Sequence, residues 1–186
     1  MSDMTWDEKY TKSCNPTKSP SRFLVEKIDR LPPGRALDLA TGSGRNAIYL
    51  ARNRYEVDAI DYSGVAVSQL KAFVKQQSLA VSVKQEDLTA FRIPEVTYDL
   101  IINFNYLERS LIPQMIKGLK PGGMILFETY TIEQPRYGKP HNPDYLLKPN
   151  ELIKSFKELH IIYYHERVDH SSEETKAIAS LLAQKP

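Results

Sequence analysis

The sequence predicts an α/β fold built on one doubly wound sheet of seven strands, mostly parallel, with an antiparallel C-terminal strand and helices on both faces. Short apolar runs of strand length alternate with helical segments through residues 35–130, a pattern typical of a parallel sheet covered on both faces. The first run leads through a glycine-rich turn into a helix. Further along, two more runs are separated only by a polar turn, which predicts a hairpin and hence one antiparallel strand.

The first half of the chain contains one helix followed by strand–helix–strand units. Residues 21–31 carry apolar side chains at helical spacing, and the Pro-Pro-Gly that follows them ends the helix. The elements predicted here, in chain order, are a helix over 21–31, a strand over 35–40, a helix opening at Arg45, a strand over 55–61, a helix over 63–78 and a strand over 80–87. We expect the whole chain, 1–186, to form a single domain.

The second half repeats the alternation and then changes character. Its predicted elements are a strand over 98–104, a helix over 107–119, a strand over 124–130, a helix beginning near Pro149, and strands over 160–168 and 175–184. The last segment also fits a helix by propensity, and we interpret it as a strand that closes a hairpin. Residues 131–149 contain four prolines and a glycine, so a long irregular loop is expected there, and such loops are often functional.

Composition and charge exclude several classes of function. The formal net charge is only +2 and the basic residues form no block, so no nucleic-acid partner is expected. Apolar runs are strand-sized and the first ten residues are too polar for a signal peptide, which predicts a cytoplasmic protein that does not enter membranes. Cys14 is the only cysteine and the four histidines show no ligand spacing, so neither an intrachain disulfide nor a metal is expected.

The stretch LDLATGSGRN, residues 37–46, raises the question of which nucleotide its glycines hold. Residues 42–47 satisfy the G-x-G-x-x-G/A pattern of dinucleotide sites, so a nicotinamide cofactor has to be weighed. In a doubly wound sheet the ligand lies beyond the carboxyl ends of the strands. Acids stand at three of these ends, Asp38, Asp61 and the Glu86-Asp87 pair, and they would repel a pyrophosphate. A cationic nucleoside without phosphate, such as S-adenosylmethionine, suits them better.

Four motifs in order carry a family resemblance: LDLATGSG, VDAIDYS, QEDL and LKPGGMILFE. Together they resemble the class I S-adenosylmethionine-dependent methyltransferases, and the resemblance covers residues 35–130. The fold of this class is Rossmann-like. GRNAIYLA, the early WDEKY and the late IASLLAQKP are most similar to the tellurite-resistance-type branch that methylates small molecules. Ala40 departs from the pattern because a glycine usually stands there. We expect this alanine to be tolerated without a positive φ.

The resemblance implies S-adenosylmethionine as the cofactor, with S-adenosylhomocysteine as its product. The residues expected to bind it are Tyr10, Asp38, Ala40, Gly42, Gly44, Asn46, Asp61, Tyr62, Asp87, Leu88 and Asn103. Asp61 would accept both ribose hydroxyls, or else only cap the following helix. Asp87 would take the adenine amino group, and Asn103 would lie beside the methyl group. The N-terminal segment 1–31, with Trp6 and Tyr10 on one helical face, would cap the cofactor or simply staple onto the domain.

The acceptor side is expected to involve the loop 131–147, acting as a lid, and a neighbouring arginine. Candidate substrate-binding residues are Arg109, Tyr130, Tyr137 and His141, with Tyr145 in the same loop. No catalytic side chain is assigned, because sulfonium is already a good leaving group and the main task is to hold the nucleophile in line. The sequence leaves open which atom accepts the methyl group and how the chain oligomerises.

Three functions from different classes therefore remain after the sequence is read. The first is a methyltransferase acting on a small-molecule nucleophile, since no insertion large enough to grip a macromolecule interrupts the sheet. The second is a nicotinamide-dependent oxidoreductase, against which Asp38 and Asp87 count. The third is a non-catalytic module that binds S-adenosylmethionine.

Overall fold

The computed structural model describes residues 5–13, 15–16, 18–171 and 174–186, and Cys14 lies outside them. The strands are β1 (Arg35–Leu39), β2 (Glu56–Asp61), β3 (Val81–Gln85), β4 (Tyr98–Phe104), β5 (Leu119–Tyr130), β6 (His160–Asp169) and β7 (Lys176–Gln184). The helices are α1 (Trp6–Ser13), α2 (Arg22–Lys27), α3 (Arg45–Arg52), α4 (Gly64–Gln76), α5 (Ile112–Gly118) and α6 (Glu151–Ser155).

All seven strands form one sheet in the order β3-β2-β1-β4-β5-β7-β6. The first five pair in parallel, whereas β7 runs antiparallel to both of its neighbours. The predicted fold class is therefore confirmed. The chain moves outward from β1 through β2 to β3 and then returns to place β4 on the other side of β1. Ligands of doubly wound sheets bind at this point of reversal, beyond the carboxyl ends of the strands.

Apolar side chains cover both faces of the sheet, because alternate residues of each strand point to opposite sides. In β4, Ile101 belongs to one buried apolar cluster, while Leu100 and Ile102 belong to the other. Helix α4 contributes Val67 and Leu70, on the apolar face that the sequence indicates, to the second cluster. Two packed layers thus hold the central strands rigidly and fix the positions of the loops at their carboxyl ends.

The C-terminal segment is a strand, as predicted, although its propensity also permits a helix. Residues 177–183 are all buried, because β7 lies between β5 and β6 and is covered on both faces. Its apolar run is therefore continuous and lacks the alternation of a half-exposed strand. Tertiary pairing with two neighbours outweighs the helical preference of its alanines and leucines.

Several predicted elements differ from the structure in their bounds, among them the helix expected over 21–31, which ends at Lys27 and continues as a 3-10 turn, Ile28–Arg30. The helix expected over 107–119 begins as a 3-10 turn, Arg109–Leu111, and continues as α5 only from Ile112. Strand β5 starts earlier than expected, since Leu119 already pairs with Tyr98. The expected irregular loop contains two 3-10 turns, Gln134–Arg136 and Pro143–Tyr145. Among the described helices, none is long and apolar enough to cross a bilayer.

Candidate functional site

A cleft of about 610 Å³ opens at the carboxyl ends of the central strands, within the size range of small-molecule sites. The sequence-predicted residues that line it are Tyr10, Asp38, Ala40, Gly42, Asn46, Asp61, Tyr62, Asp87, Leu88 and Tyr130. The loops after β1, β2, β3 and β4 all reach it, and Tyr130 closes β5 at its far side. The topology therefore brings together side chains that are far apart in the sequence.

Asp38 is the most deeply buried acid of the cleft, with 2% of its surface exposed. Its carboxylate accepts a hydrogen bond from the Thr41 hydroxyl at 2.6 Å. Burial above all, together with the nearby charge of Asp61, raises the pKa of Asp38 to about 7, although the Thr41 hydroxyl and the charge of Arg45 oppose the shift. A buried carboxylate has lost its hydration, so a cationic group of a ligand would stabilise its ionised form strongly.

Asp61 joins the glycine loop to the start of α4. One carboxylate oxygen accepts the Gly42 amide at 2.7 Å and the other accepts the Ser63 amide at 2.9 Å. Burial raises the pKa of Asp61, while these backbone donors oppose the rise. The cap of α4 is Ser63, whose hydroxyl accepts from the Ala66 amide. Asp61 is therefore not the N-cap residue, and each of its oxygens keeps a second acceptor position for a ligand in the cleft.

Ala40 has a φ of +54°, in the left-handed region. The expectation that it needs no positive φ is wrong. Thr41 begins a turn, and the Thr41 amide donates to the Ile60 carbonyl at 3.0 Å. This turn forces Ala40 into a backbone conformation that favours glycine. An alanine in this conformation stores strain of about 1–2 kcal/mol.

Replacing Ala40 with glycine should relieve this strain. The gain is offset by the larger backbone entropy that glycine has in the unfolded chain, which leaves a net stabilisation of about 0.5–1 kcal/mol. Urea denaturation of the two proteins measures the difference. As a control, Ala59→Gly in the middle of the buried strand β2 should lower the free energy of unfolding. A lower stability for Ala40→Gly would show that the left-handed backbone is not strained.

The acid at the third strand lies in a different environment. The Asp87 carboxylate is exposed and accepts from both the amide and the hydroxyl of Thr89, at 2.9 and 2.7 Å, which lowers the pKa of Asp87. Leu88 beside it is buried, and Tyr62 exposes 61% of its surface at the rim of the cleft. An ionised carboxylate, an apolar floor and an aromatic ring are the contacts that a purine base can use.

Helix α1 lies over the glycine loop. The Asp7 carboxylate accepts from the Ser63 hydroxyl at 2.5 Å and so anchors the helix to the start of α4. A Cβ added to Gly42 would come within 2.4 Å of the Tyr10 hydroxyl, so glycine at this position allows the close approach of α1. Trp6 stacks on Tyr10 with ring centroids 6.2 Å apart and also lines the cleft. The two aromatic residues share one helical face, as predicted.

Six of the sequence-predicted site residues do not line the cleft: Gly44, Asn103, Arg109, Tyr137, His141 and Tyr145. Gly44 has a φ of +83°, and a Cβ there would meet Leu70 Cδ1 at 2.2 Å, so its role is helix packing. Arg109 pairs with Glu151 at 2.6 Å and donates to the carbonyls of Asp144 and Leu146. Its charge is therefore used to tie the loop 131–147 to α6.

Asn103 shapes the cleft from behind. It is completely buried, and its amide nitrogen donates to the Tyr106 carbonyl at 2.7 Å. This bond holds a turn in which Asn105 adopts a φ of +58°. The turn presents Phe104, Asn105 and Tyr106 to the cleft. Tyr137 and His141, in contrast, are exposed on the loop.

Several lining residues are not found by reading the sequence: Lys18, Thr41, Ser43, Arg45, Phe104, Asn105, Tyr106, Glu174 and Lys176. Burial raises the pKa of Tyr106 to about 12, with the charge of Glu108 adding to the effect, and burial also raises the pKa of Tyr130. Both phenols therefore stay protonated at neutral pH and act as hydrogen-bond donors. The position of Arg45 directly after the glycine loop is a signal that sequence reading can use. Within the described ranges, no group of three or more His, Cys, Asp or Glu residues is arranged to hold a metal ion.

Comparison with known proteins gives a family and a fold. The model of the family described as tellurite resistance protein TehB matches residues 4–178. A Haemophilus influenzae protein named "Probable S-adenosyl-L-methionine-dependent methyltransferase TehB" is 28% identical over 178 residues, which cover 87% of this chain and 61% of that protein. The chain thus spans less than two thirds of this relative's length.

Solved structures give the same fold. The crystal structure of TehB from Haemophilus influenzae superposes with a TM-score of 0.80 at 23% identity, covering 98% of this chain and 68% of that one. The structure of a protein named [4+2]-cyclase SpnF superposes with a TM-score of 0.69 at 15% identity, covering 88% of this chain and 78% of that one. Since proteins with different names share the fold, the chemistry has to be argued from the cleft.

Proposed function

The chain belongs to the family of the tellurite resistance protein TehB, and on this premise we propose that it is an S-adenosylmethionine-dependent methyltransferase acting on a small-molecule nucleophile. The observation that carries the proposal is that carboxylates from three successive strand ends, Asp38, Asp61 and Asp87, line one cleft together with the glycine loop. These acids match a ligand that bears an ammonium, a ribose diol and an adenine amine, and no phosphate.

The residues of the cleft fit this cofactor by the chemistry of their donors and acceptors. Asp38 would bind the ammonium, Asp61 the ribose hydroxyls, and Asp87 with the Leu88 amide the adenine edge. Gly42 and Ala40 bring the backbone close to the amino-acid end. A dinucleotide is disfavoured, because its pyrophosphate would lie on a glycine loop flanked by the buried acids Asp38 and Asp61.

The protein's own contribution to the reaction is to bind, orient and exclude water. When bound, S-adenosylmethionine would supply a methyl group on a sulfonium, which needs no acid to leave. Tyr106 and Tyr130 line the cleft at the carboxyl ends of β4 and β5 and would orient the acceptor by donating hydrogen bonds. Their raised pKa values make them poor general bases. Trp6 and Tyr10 on α1 would screen the reacting atoms from solvent.

We propose a small acceptor of soft or anionic character. Lys176, Tyr130 and the turn 104–106 line the cleft, and we assign them to the acceptor side. We assign acceptor binding to these residues and not to Arg109 and His141, because the Arg109 guanidinium is bound by Glu151. The loop 131–147 remains the proposed lid. A cytoplasmic location and the absence of a nucleic-acid partner stay predictions of the sequence.

Ligand-dependent thermal stability tests the proposed cofactor. S-adenosylhomocysteine at a hundredfold excess over its dissociation constant should stabilise the native state by about 2.7 kcal/mol, because it binds only the folded protein. NAD and NADP at the same concentration should leave the melting temperature unchanged. Differential scanning fluorimetry measures both effects. Equal stabilisation by NADH would replace the methyltransferase with the oxidoreductase hypothesis.

Turnover distinguishes an enzyme from a binding module. S-adenosylhomocysteine release should be measured with S-adenosylmethionine and a panel of thiols, chalcogen oxyanions and small amines. A small nucleophile should be methylated in preference to protein or RNA. Cofactor binding without turnover on any of these acceptors would favour the non-catalytic module.

A further inference from the structure

Two enclosed side-chain oxygens, Asn103 Oδ1 and Thr129 Oγ1, have no hydrogen-bond partner among the residues that the structure describes. Asn103 is completely buried near the end of β4, and Thr129 is 1% exposed near the end of β5. The amide nitrogen of Asn103 is already used, since it donates to the Tyr106 carbonyl at 2.7 Å. Buried polar atoms of native proteins are almost always paired with protein or with ordered water, so both oxygens require a partner.

The two oxygens lie on the same face of the sheet. Asn103 pairs with Phe127, and Thr129, two residues further along β5, points to the same side as Phe127. Thr129 in turn pairs with Ala179, which belongs with Phe127 to one buried apolar cluster. Strand dimensions put the Cβ atoms of Asn103 and Thr129 roughly 8 Å apart. The gap left between their polar tips is then about 5 Å, which two hydrogen bonds to one small molecule would span.

We propose that Asn103 and Thr129 bind one internal water molecule, and that this water joins the turn 104–106 to the start of the loop 131–147. Water is the occupant that the surroundings favour, because neither residue lines the cleft and the polar atoms on offer are neutral oxygens. The water would donate to Asn103 Oδ1 and share a second hydrogen bond with the Thr129 hydroxyl. Each oxygen would thereby gain the partner that it lacks.

The site deepens the proposed function because of the residues that it holds in place. Asn103 binds the Tyr106 carbonyl, and Thr129 directly precedes Tyr130. Both tyrosines line the cleft and are proposed to orient the acceptor. A water between Asn103 and Thr129 would fix the two phenols relative to each other, so these two residues are positioning residues. This consequence rests on the proposed function, whereas the water site itself does not.

The stability of Thr129→Val tests whether the hydroxyl is bound. Valine keeps the shape of threonine and replaces the hydroxyl with a methyl group. If water binds the hydroxyl, urea denaturation should show an equilibrium constant for unfolding raised by roughly threefold to tenfold. An unbound hydroxyl predicts the opposite sign, because valine would then remove a buried polar group that has no partner.

A crystal structure of the wild-type protein that resolves ordered water locates the occupant directly. One water is expected within about 2.6–3.2 Å of both Asn103 Oδ1 and Thr129 Oγ1. The same water should be missing from Thr129→Val and retained in Thr129→Ser, which keeps the hydroxyl. A wild-type site without density, or with two separate waters, overturns the proposal.

NMR ring signals of isotope-labelled tyrosines measure the positioning role without an acceptor. Thr129→Val should shift or broaden the signals of Tyr106, which Tyr106→Phe identifies, whereas Thr129→Ser should keep them near the wild-type positions. The signals of Tyr98, at the opposite end of β4, should not change in either variant. Thr97→Val is the matched control, because it removes a hydroxyl bonded to the Glu95 carbonyl just before β4, and it should leave Tyr106 unchanged.

The outcomes separate the site, its positioning role and the proposed function. A more stable Thr129→Val overturns the water site. Unchanged Tyr106 signals in a Thr129→Val protein that has lost both the water and stability would overturn the positioning role. Either result leaves the proposed function in place, because binding of S-adenosylhomocysteine is measured independently. If the wild-type protein does not bind S-adenosylhomocysteine, the proposed function fails, and with it the link between this site and an acceptor.

Discussion

Asp61→Ala should lower both the stability of the fold and the affinity for S-adenosylhomocysteine. Asp61 is 7% exposed, and its carboxylate accepts hydrogen bonds from the amides of Gly42 and Ser63. Without it two enclosed N–H groups lose their partners, and each such loss costs about 1–3 kcal/mol. We expect the free energy of unfolding to fall by about 2–4 kcal/mol in urea denaturation.

Affinity should fall in the same variant because Asp61 is the proposed ribose receptor and also positions the glycine loop. The expected loss is about tenfold to a hundredfold by calorimetry. Asp58→Asn is the matched control, since Asp58 lies on the same strand but binds Arg35 and Tyr98 outside the cleft. It should reduce stability and leave affinity unchanged. Wild-type affinity in Asp61→Ala would mean that Asp61 only organises the loop.

Local patterns are sufficient to predict the fold of this chain. Apolar runs, the glycine turn and the polar hairpin indicate every strand, and the helices between most of the first five strands indicate that these strands are parallel, although no helix separates β3 from β4. The bounds are less predictable where long-range pairing sets them. Strand β5 begins at Leu119 because Tyr98 on the neighbouring strand pairs with it, and no signal within residues 119–123 indicates that partner.

The site is predictable where it depends on strand ends and unpredictable where it depends on loops. Asp38, Asp61 and Asp87 reach the cleft because the carboxyl ends of parallel strands meet at one edge of the sheet. Arg109 does not reach the cleft, because it forms a salt bridge with Glu151. This partner is 42 residues away in sequence, so no local pattern indicates it. The left-handed backbone of Ala40 is equally unpredictable from the sequence, because the following turn imposes a conformation that alanine itself disfavours.

Asp38→Asn should make the protein more stable and bind S-adenosylhomocysteine more weakly. Burial holds the pKa of Asp38 at about 7, above its ordinary value of 3.8. The folded state therefore binds this proton more tightly than the unfolded chain does. Protonation of Asp38 therefore contributes to the free energy of unfolding. This contribution is fully present below pH 4 and is lost as the pH rises from 4 to 7.

Asparagine cannot ionise and its amide oxygen can still accept the Thr41 hydroxyl. At pH 8 the free energy of unfolding of Asp38→Asn should exceed that of wild type by up to about 4 kcal/mol, the equivalent of a shift of roughly three pKa units. The difference should vanish near pH 4. Urea denaturation at both pH values measures it, and equal stability of the two proteins at pH 8 would contradict a buried, ionised Asp38.

Ligand binding should depend on pH in the opposite sense, because an ammonium is attracted only to the ionised carboxylate. Affinity of wild type for S-adenosylhomocysteine should rise by up to about tenfold per pH unit below pH 7 and level off above it. Asp38→Asn should bind more weakly at pH 8 and show a flat profile between pH 5.5 and 8. Asp87→Asn is the control, since the Asp87 pKa is lowered by Thr89, so this variant should keep the rise. If the affinity of wild type did not change with pH, Asp38 would not belong to the binding site. The predicted rise in affinity means instead that Asp38, which destabilises the protein without ligand, is needed to bind the ligand.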